Sequence, residues 1–413
     1  MDSNMNEKPL FRGISPGDFT SLVTSYKKKF GKTIPELCER LAQSIPKEFP
    51  VVNPKDDVSL LCDLMTACLP QYRLAFSNNT SLPENTLWVK HVSLPSKRLQ
   101  EAFAFQVLPL YTKLNGYKAF QKEVNKCFPT PNISIFCVNS ADLPANGAYQ
   151  TTTFIETQEL THFLMNENSM DMLKLMYVPT FFRSGVTHCL PYLLHFREWQ
   201  RSLDPYERSH VLVFSSSVLF SIGLRTCNDV DIFVNDEPKL PKAFQKSMDI
   251  LKKSADIVRE QAGKEIFDIS MRGLGEWTAT GQKAHWDEWF LKDWPALVGA
   301  SSMNDVVYDP KYHMYFLGMK LTSLEMDIQR RAQRQRPAGY ANLIALHTLA
   351  KVPIDFPHVP TEYYKSIGVK DTIDTPKKLE RFYRTIQHYL RQRYHRNYSL
   401  EEIKFYVKPQ KIV

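Results

Sequence analysis

The chain has 413 residues, of which 43% are hydrophobic, and its formal net charge is +8. This length provides apolar material for about two or three domains with buried cores. No run of about eighteen apolar residues occurs, which excludes an obvious membrane span. The N-terminal segment is polar and lacks the apolar centre of a secretory signal. We therefore expect an intracellular protein, cytoplasmic or nuclear, that is not secreted.

The cysteines and histidines do not predict a metal site of their own. The seven cysteines show no Cys-x-x-Cys spacing, and the eleven histidines form no recognisable ligand pattern. An odd number of unpaired cysteines argues against a disulfide framework and against structural zinc. The positive charge is moderate for this length and does not identify a nucleic-acid-binding protein without knowledge of where it lies.

The first half of the chain predicts structure but no function. Residues 1–85 are predicted to form a helical region, with helix over most of 15–75. Residues 86–205 are predicted to form a mixed α/β region of unknown role. In that region 87–89 and 133–138 favour strands, and 97–127 favours a helix.

Residues 206–300 are predicted to form a compact α/β core. The apolar run 211–214 indicates a buried strand, and the serines at 215–217 begin a short helix that ends near Gly223. A second strand is predicted over 230–234 and a third over 266–269. Between them, apolar residues spaced by three and four from 244 to 262 predict an amphipathic helix.

Residues 301–413 are predicted to form a helical, basic C-terminal domain. One helix is expected over 311–335, a second after Pro337 and a basic third over 376–396. The whole chain is thus predicted to be α/β (α+β), with a small mixed core sheet, a helical C-terminal domain and a separate N-terminal α/β region.

Three aspartates of the core are candidate metal ligands and catalytic residues. Residues i and i+2 of a strand point to the same face, so Asp229 and Asp231 would present two adjacent carboxylates. Asp268 in the next predicted strand is placed to supply a third. Two Mg²⁺ ions about 3.5–4 Å apart need shared oxygen ligands of this kind. The serine turn offers an anion site, with Ser216 and Ser217 as candidates for contacts to phosphate.

Residues 214–234 resemble the signature of the DNA polymerase beta-type nucleotidyltransferase superfamily, in which Gly-Ser or Gly-Gly precedes Asp-x-Asp. The spacing is similar to that of the poly(A) polymerase and tRNA nucleotidyltransferase branch. Residues 320–346 resemble the helical element of abortive-infection-type nucleotidyltransferases. Two positions depart from these patterns: Ser215 or Ser216 replaces the glycine, and Asn342 replaces an acidic residue of the toxin-type branch.

The resemblance implies roles for individual residues. Asp229, Asp231 and Asp268 would hold Mg²⁺ or Mn²⁺, and Ser216 or Ser217 would touch the triphosphate of an NTP. Lys320 would reach a phosphate, and Arg225 is a further candidate for a nucleotide contact.

Basic residues of the C-terminal region are candidates for nucleic-acid contact. On the helix predicted over 311–335, one stripe carries Lys320, Asp327, Arg331 and Arg334, and a neighbouring stripe is apolar. On the helix over 376–396, the outward arginines Arg384, Arg391 and Arg393 are expected to contact nucleic acid. The apolar side of that helix is expected to face the core, through Leu379, Phe382, Ile386, Tyr389 and Leu390.

These features predict transfer of a nucleoside monophosphate from an NTP to a hydroxyl acceptor, preferably an RNA 3′ end. Two alternatives remain open. One is a metal-dependent glycosyltransferase that uses Asp229 and Asp231 for a nucleotide sugar. The other is a catalytically inactive nucleotidyltransferase fold that serves as a nucleic-acid-binding or assembly module.

Overall fold

The computed structural model of the chain describes residues 10–11, 71–78, 86–108, 116–143, 148–183, 189–203, 208, 210–227, 230–234, 267–271, 275–277, 293–364 and 370–409. Over these residues the protein is mixed α/β, with twelve α-helices and three sheets. The predicted helix over 244–262 lies outside the described residues, as does most of the predicted helix over 15–75. None of the described helices is both long and apolar enough to cross a membrane.

The first sheet has five strands, all paired antiparallel. Its order is β1-β3-β4-β2-β5, and the strands are β1 (Leu10–Phe11), β2 (Tyr72–Ser77), β3 (Thr86–Ser93), β4 (Asn132–Asn139) and β5 (Tyr149–Gln150). The strands predicted at 87–89 and 133–138 are confirmed. The helical prediction up to residue 75 is wrong at its end, because β2 pairs on both sides and buries Leu74, Ala75 and Phe76 consecutively.

Five helices lie between the strands of this sheet in the chain or follow them. They are α1 (Lys97–Val107), α2 (Tyr117–Cys127), α3 (Phe154–Met165), α4 (Glu167–Leu175) and α5 (Cys189–Ser202). The single helix predicted over 97–127 is therefore two helices. Gly116, which immediately precedes α2, has a φ of 92°, a conformation that side-chain-bearing residues rarely adopt.

The second sheet has six strands in the order β10-β11-β6-β7-β8-β9. They are β6 (Val211–Phe214), β7 (Val230–Val234), β8 (Phe267–Met271), β9 (Gly275–Trp277), β10 (His313–Phe316) and β11 (Met319–Thr322). The short helix α6 (Ser216–Ser221) follows β6, which pairs antiparallel with β7, and β7 pairs parallel with β8. The predicted strands at 211–214, 230–234 and 266–269 are confirmed, and the sheet is small and mixed as expected.

The helix predicted over 311–335 is wrong in its first half. Residues 313–322 form the β10–β11 hairpin, and helix begins only at Leu324, after the cap Ser323. Leu317 and Gly318 both have positive φ, which is the geometry of a tight two-residue hairpin turn. Lys320 therefore lies on a strand, and the predicted basic stripe does not include it.

The remaining elements are mainly helical: α7 (Asp293–Leu297), α8 (Met303–Tyr308), α9 (Leu324–Arg334), α10 (Pro337–Leu349), α11 (Pro376–Tyr394) and α12 (Leu400–Tyr406), with a hairpin of β12 (Glu362–Tyr364) and β13 (Lys370–Thr372). The helices predicted after Pro337 and over 376–396 are confirmed. The side of α11 that faces the core consists of Phe382, Tyr383, Ile386, Leu390 and Tyr394, with Leu379 and Tyr389 packed against it.

The two faces of the six-stranded sheet pack in different apolar clusters. Val211 and Val213 belong to a large cluster that is shared with the first sheet and its helices. Leu212 and Phe214 belong to a smaller cluster with Trp294 and Met326. Because successive residues of a strand face opposite sides, Phe214 identifies the face covered by α7, α8 and α9. Asp231, whose Cα lies opposite Phe214, shares that face.

Candidate active site

Two of the three predicted acidic positions are adjacent in the sheet. In the parallel pair β7 and β8, Asp231 lies in register with Asp268. Positions in register on neighbouring strands share a face of the sheet, so the backbone supports a pair of acids here. Asp231 is half-buried. Asp229 lies outside the described residues, two positions before Asp231.

The connection between β6 and α6 is a sharp turn at Ser215. This residue has φ 67° and ψ −124°, a conformation that glycine adopts at little cost and other residues rarely adopt. Sequence reasoning left open whether Ser215 or Ser216 occupies the position where the resemblance expects glycine. The backbone conformation identifies Ser215 as the residue for which glycine would relieve strain.

The two serines predicted to touch a triphosphate are both buried. Ser216 is 6% exposed and Ser217 is completely buried, and the Ser217 hydroxyl has no hydrogen-bond partner among the described residues. Ser215 is only half-buried, and its hydroxyl accepts a hydrogen bond from Arg330 Nη2 at 3.0 Å. Of the three serines, Ser215 is therefore the one with the greatest access to a ligand.

Helix α9 places two arginines over the Ser215 turn. Arg330 and Arg331 donate to the completely buried carboxylate of Asp327 at 3.1 and 2.6 Å, and Arg331 Nη2 also donates to the Ser215 carbonyl at 3.2 Å. Burial lowers the pKa of Arg330, while the charges of Asp327 and Asp231 act in the opposite direction. Arg330 thus lies within electrostatic range of the acidic strand.

Arg330 was not among the predicted site residues, although the sequence contained a signal for it. Asp327 precedes Arg330 by three residues and Arg331 by four, and these are the two spacings at which helical side chains meet. The Arg330 guanidinium also lies 5.9 Å from the ring centroid of Phe214 and 6.0 Å from that of Trp294. These aromatic contacts join residues distant in sequence and could not be read from spacing.

Lys320 does not lie where the predicted stripe placed it. It is 7% exposed on β11, and its ammonium donates to the Val307 carbonyl at 2.8 Å. An interaction with phosphate would have to compete with this buried hydrogen bond. The predicted nucleotide contact of Lys320 stays a prediction, but its helical placement is wrong.

Arg225 contacts α10 and is linked through it to α11. It is 8% exposed, and its Nε donates to the Thr226 carbonyl at 2.8 Å. Its Nη1 donates to Asn342 Oδ1 at 3.4 Å, and the same oxygen accepts from the Tyr394 hydroxyl at 2.6 Å. Asn342 in α10 therefore links the segment after α6 to the end of α11.

Comparison with protein-family models, curated proteins and solved structures finds no match to the chain. Function must therefore be argued from the site. Within the described part of the chain, no group of three or more His, Cys, Asp or Glu residues is arranged to hold a metal ion. Asp229 is not among the described residues and is therefore not covered by this finding. In-register aspartates nevertheless provide hard oxygen donors suited to Mg²⁺ or Mn²⁺.

Helix α11 separates the predicted arginines into two groups. Arg384 and Arg391 are exposed, as expected. Arg393 is half-buried instead, because its guanidinium lies 4.5 Å from the Tyr389 ring. Burial lowers the pKa of Arg393 to about 10, and the nearby positive charge of Arg225 acts in the same direction. The prediction that Arg393 points outward is wrong. Arg334, also predicted to contact nucleic acid, is half-buried at the end of α9.

Proposed function

We propose that the chain is a metal-dependent nucleotidyltransferase that transfers a nucleoside monophosphate from an NTP to a hydroxyl, with an RNA 3′ end as acceptor. The observation that carries the proposal is the in-register position of Asp231 and Asp268 on parallel neighbouring strands. The turn at Ser215, one residue beyond the Phe214 that pairs with Asp231, supports it further. An intracellular location belongs to the same proposal.

In this mechanism Asp231 and Asp268, together with Asp229, would hold Mg²⁺ or Mn²⁺. The metal would polarise the α-phosphate and lower the pKa of the acceptor hydroxyl. The acceptor oxygen forms a bond to the α-phosphorus, the bond to pyrophosphate breaks, and the hydroxyl proton passes to solvent. Arg330 and Arg331, fixed over the Ser215 turn, would offset the negative charge of the phosphates.

The exposed side of α11 supports nucleic acid as the acceptor. Its exposed residues include a stripe of basic residues and histidines, Lys377, Arg381, Arg384, His388, Arg391 and His395, and the exposed Glu380 beside this stripe pairs with Arg384. From residue 377 to residue 395 this stripe extends about 27 Å at 1.5 Å per residue. A row of exposed positive charge of this length can follow the phosphates of a strand.

One observation favours a second candidate, a catalytically inactive fold that binds nucleic acid. Ser215 keeps a side chain where glycine would let a nucleotide approach the backbone closely. Its hydroxyl is moreover already bonded to Arg330. An inactive fold would retain the α11 surface without requiring the acidic pair.

The direct test is incubation of the full chain with each labelled NTP, Mg²⁺ or Mn²⁺, and RNA, DNA and protein acceptors. The key variant is Asp231→Asn. Its matched control is Asp171→Asn, in which the aspartate is 57% exposed and pairs with Lys174 at the surface. We expect incorporation to fall at least about a hundredfold in Asp231→Asn, since even outer partners of metal ligands contribute 10–100-fold. The Asp171→Asn variant should retain activity.

The results of this experiment distinguish the candidate functions. Equal incorporation by Asp231→Asn and the wild type would refute the proposed mechanism. Transfer of sugar from a nucleotide sugar, tested in parallel, would identify a glycosyltransferase. RNA binding without incorporation from any NTP would support the inactive fold.

A further inference from the structure

Four arginines from three distant parts of the chain lie within electrostatic range of one another, and two of them contact the Ser215 turn. Arg225 follows α6, Arg330 and Arg331 lie in α9, and Arg393 lies near the end of α11. The first three are each at most 9% exposed, and Arg393 is half-buried. We refer to these four residues as the arginine cluster.

Hydrogen bonds fix three of the four arginines in two groups, one through neutral side chains and one through an acid and the Ser215 turn. Arg225 bonds to Asn342, which also accepts from Tyr394, the residue that follows Arg393. Arg330 and Arg331 bond to Ser215 and to the buried Asp327. The arginines also lie within electrostatic range of one another, since the charges of Arg225 and Arg331 both act on Arg393.

Among the described residues, two acids are shown to act on the four arginines of the cluster. Arg330 and Arg331 share Asp327, and Asp231 lies within range of Arg330. Arginine does not lose its charge in proteins, so this excess of positive charge among the described residues persists at neutral pH. The Nε of Arg330 is buried and has no hydrogen-bond partner among the described residues. Burying unbalanced charge is unfavourable, and a multiply charged anion would relieve it.

We propose that the arginine cluster binds the phosphate chain of a nucleotide. The choice of a nucleotide rests on the proposed function, whereas the prediction of an anion site does not. The cluster is largely buried, which suits a short group with several negative charges better than a long strand. An extended nucleic-acid strand fits the long exposed stripe of α11 better. The phosphate contacts expected from Ser216, Ser217 and Lys320 stay predictions beside this site.

Asn342 keeps the cluster positive. Its side chain is 1% exposed and accepts hydrogen bonds from Arg225 and Tyr394 without contributing charge. An aspartate would have the same shape and would still accept both bonds. It would also neutralise Arg225, so the change Asn342→Asp tests the role of charge with little change in packing.

The experiment measures binding of inorganic tripolyphosphate to the full chain by calorimetry, without divalent metal. The two variants are Arg393→Gln and Asn342→Asp. Their matched controls are Arg396→Gln, exposed just beyond the end of the same helix, and Asn397→Asp, exposed beside it. We expect both cluster variants to bind at least about tenfold more weakly, which corresponds to about 1.4 kcal/mol. The controls should match the wild type.

Thermal unfolding without ligand distinguishes a binding role from a structural one. Removing one of several like charges should leave the unfolding temperature of Arg393→Gln unchanged or raise it. A lower unfolding temperature together with unchanged tripolyphosphate affinity would assign the cluster to the fold and refute the proposal. Failure of the wild type to bind tripolyphosphate would refute it as well.

Two competition experiments identify the kind of molecule whose phosphates the cluster binds. ATP should compete with tripolyphosphate, whereas an oligonucleotide without terminal phosphates should not. If the oligonucleotide competes with tripolyphosphate for the wild type but not for Arg393→Gln, the cluster binds nucleic acid, and the nucleotide assignment is overturned. Because these measurements involve no transfer reaction, their failure is distinct from failure of the Asp231→Asn incorporation test.

Discussion

The buried carboxylate of Asp327 should be indispensable to the fold around the Ser215 turn. It is completely buried and accepts hydrogen bonds from Arg331 Nε at 2.6 Å, Arg331 Nη2 at 3.1 Å and Arg330 Nη2 at 3.1 Å. The change Asp327→Asn preserves the size of the side chain and removes its negative charge. It also directs an amide N–H₂ group at one of the arginine donors.

The structure sets the size of the expected effect. Loss of one partner from a buried ion pair costs about 3–5 kcal/mol, because the remaining charge stays buried without compensation. Here two arginines lose their shared acid, so the upper half of that range applies. For a folding unit of about 150–250 residues, each kcal/mol corresponds to about 2–4 °C in unfolding temperature. We therefore expect Asp327→Asn to unfold on the order of 10 °C below the wild type.

Scanning calorimetry of the full chain measures this difference directly. The control is Asp171→Asn, whose exposed ion pair with Lys174 should contribute less than about 1 kcal/mol. An Asp327→Asn variant that unfolds within the experimental error of the Asp171→Asn control would refute the reasoning. It would mean that Arg330 and Arg331 are stabilised by other acids, and the charge excess of the arginine cluster would then have to be recalculated.

Two further predictions concern backbone strain and pH. Both Ser215→Ala and Ser215→Gly lose the hydrogen bond from Arg330, but only glycine relieves the strain of a φ of 67°. Denaturant unfolding should therefore find Ser215→Gly more stable than Ser215→Ala by about 1–3 kcal/mol, and the reverse order would contradict the strain. Burial lowers the pKa of His313 well below 6.5, with the charge of Lys320 adding to the effect. Below about pH 6.5 the imidazole of His313 binds a proton in the unfolded state but not in the folded state. The free energy of unfolding should therefore fall as pH drops below about 6.5, by up to about 1.4 kcal/mol per pH unit. A His313→Gln variant should lose this component, and equal slopes between pH 7.5 and 5.5 would exclude His313 as the cause.

Periodicity in the sequence predicted those elements whose pattern is local. The helix over 376–396 has apolar residues at helical spacing over several turns, whereas the short apolar runs at 211–214 and 230–234 are bounded by turn-forming serine, asparagine and aspartate residues. The hairpin at 313–322 was missed because its residues are almost all buried, so they show no alternation. Its turn at Leu317 and Gly318 was the only local sign of a hairpin.

The candidate site shows the same division between local and distant information. The aspartates at 229, 231 and 268 were selected from strand patterns, and the register of β7 and β8 depends on those patterns as well. The arginine cluster could not be predicted in this way. Arg225 and Asn342 are 117 residues apart, and Arg330 and Ser215 are 115 apart. Only the packing of α9 against α10 and of α10 against α11 brings such residues together.

The opposite charges around the Ser215 turn explain how acids and arginines can coexist there without a ligand. Asp231 reduces the cost of burying Arg330, and Arg330 in turn stabilises the negative charge of Asp231. A cation bound by the acids would replace Arg330 as the partner of Asp231. A phosphate chain bound by the arginines would replace Asp231 as the partner of Arg330. Binding of the cation and of the phosphate chain should therefore be cooperative. When only the cation is bound, the arginines lose an acid that balanced them in the free protein, and when only the phosphate is bound, the acids lose an arginine. Titration of ATP with and without Mg²⁺ measures that coupling, and an Asp231→Asn variant in which Mg²⁺ still strengthens ATP binding to the wild-type extent would contradict it.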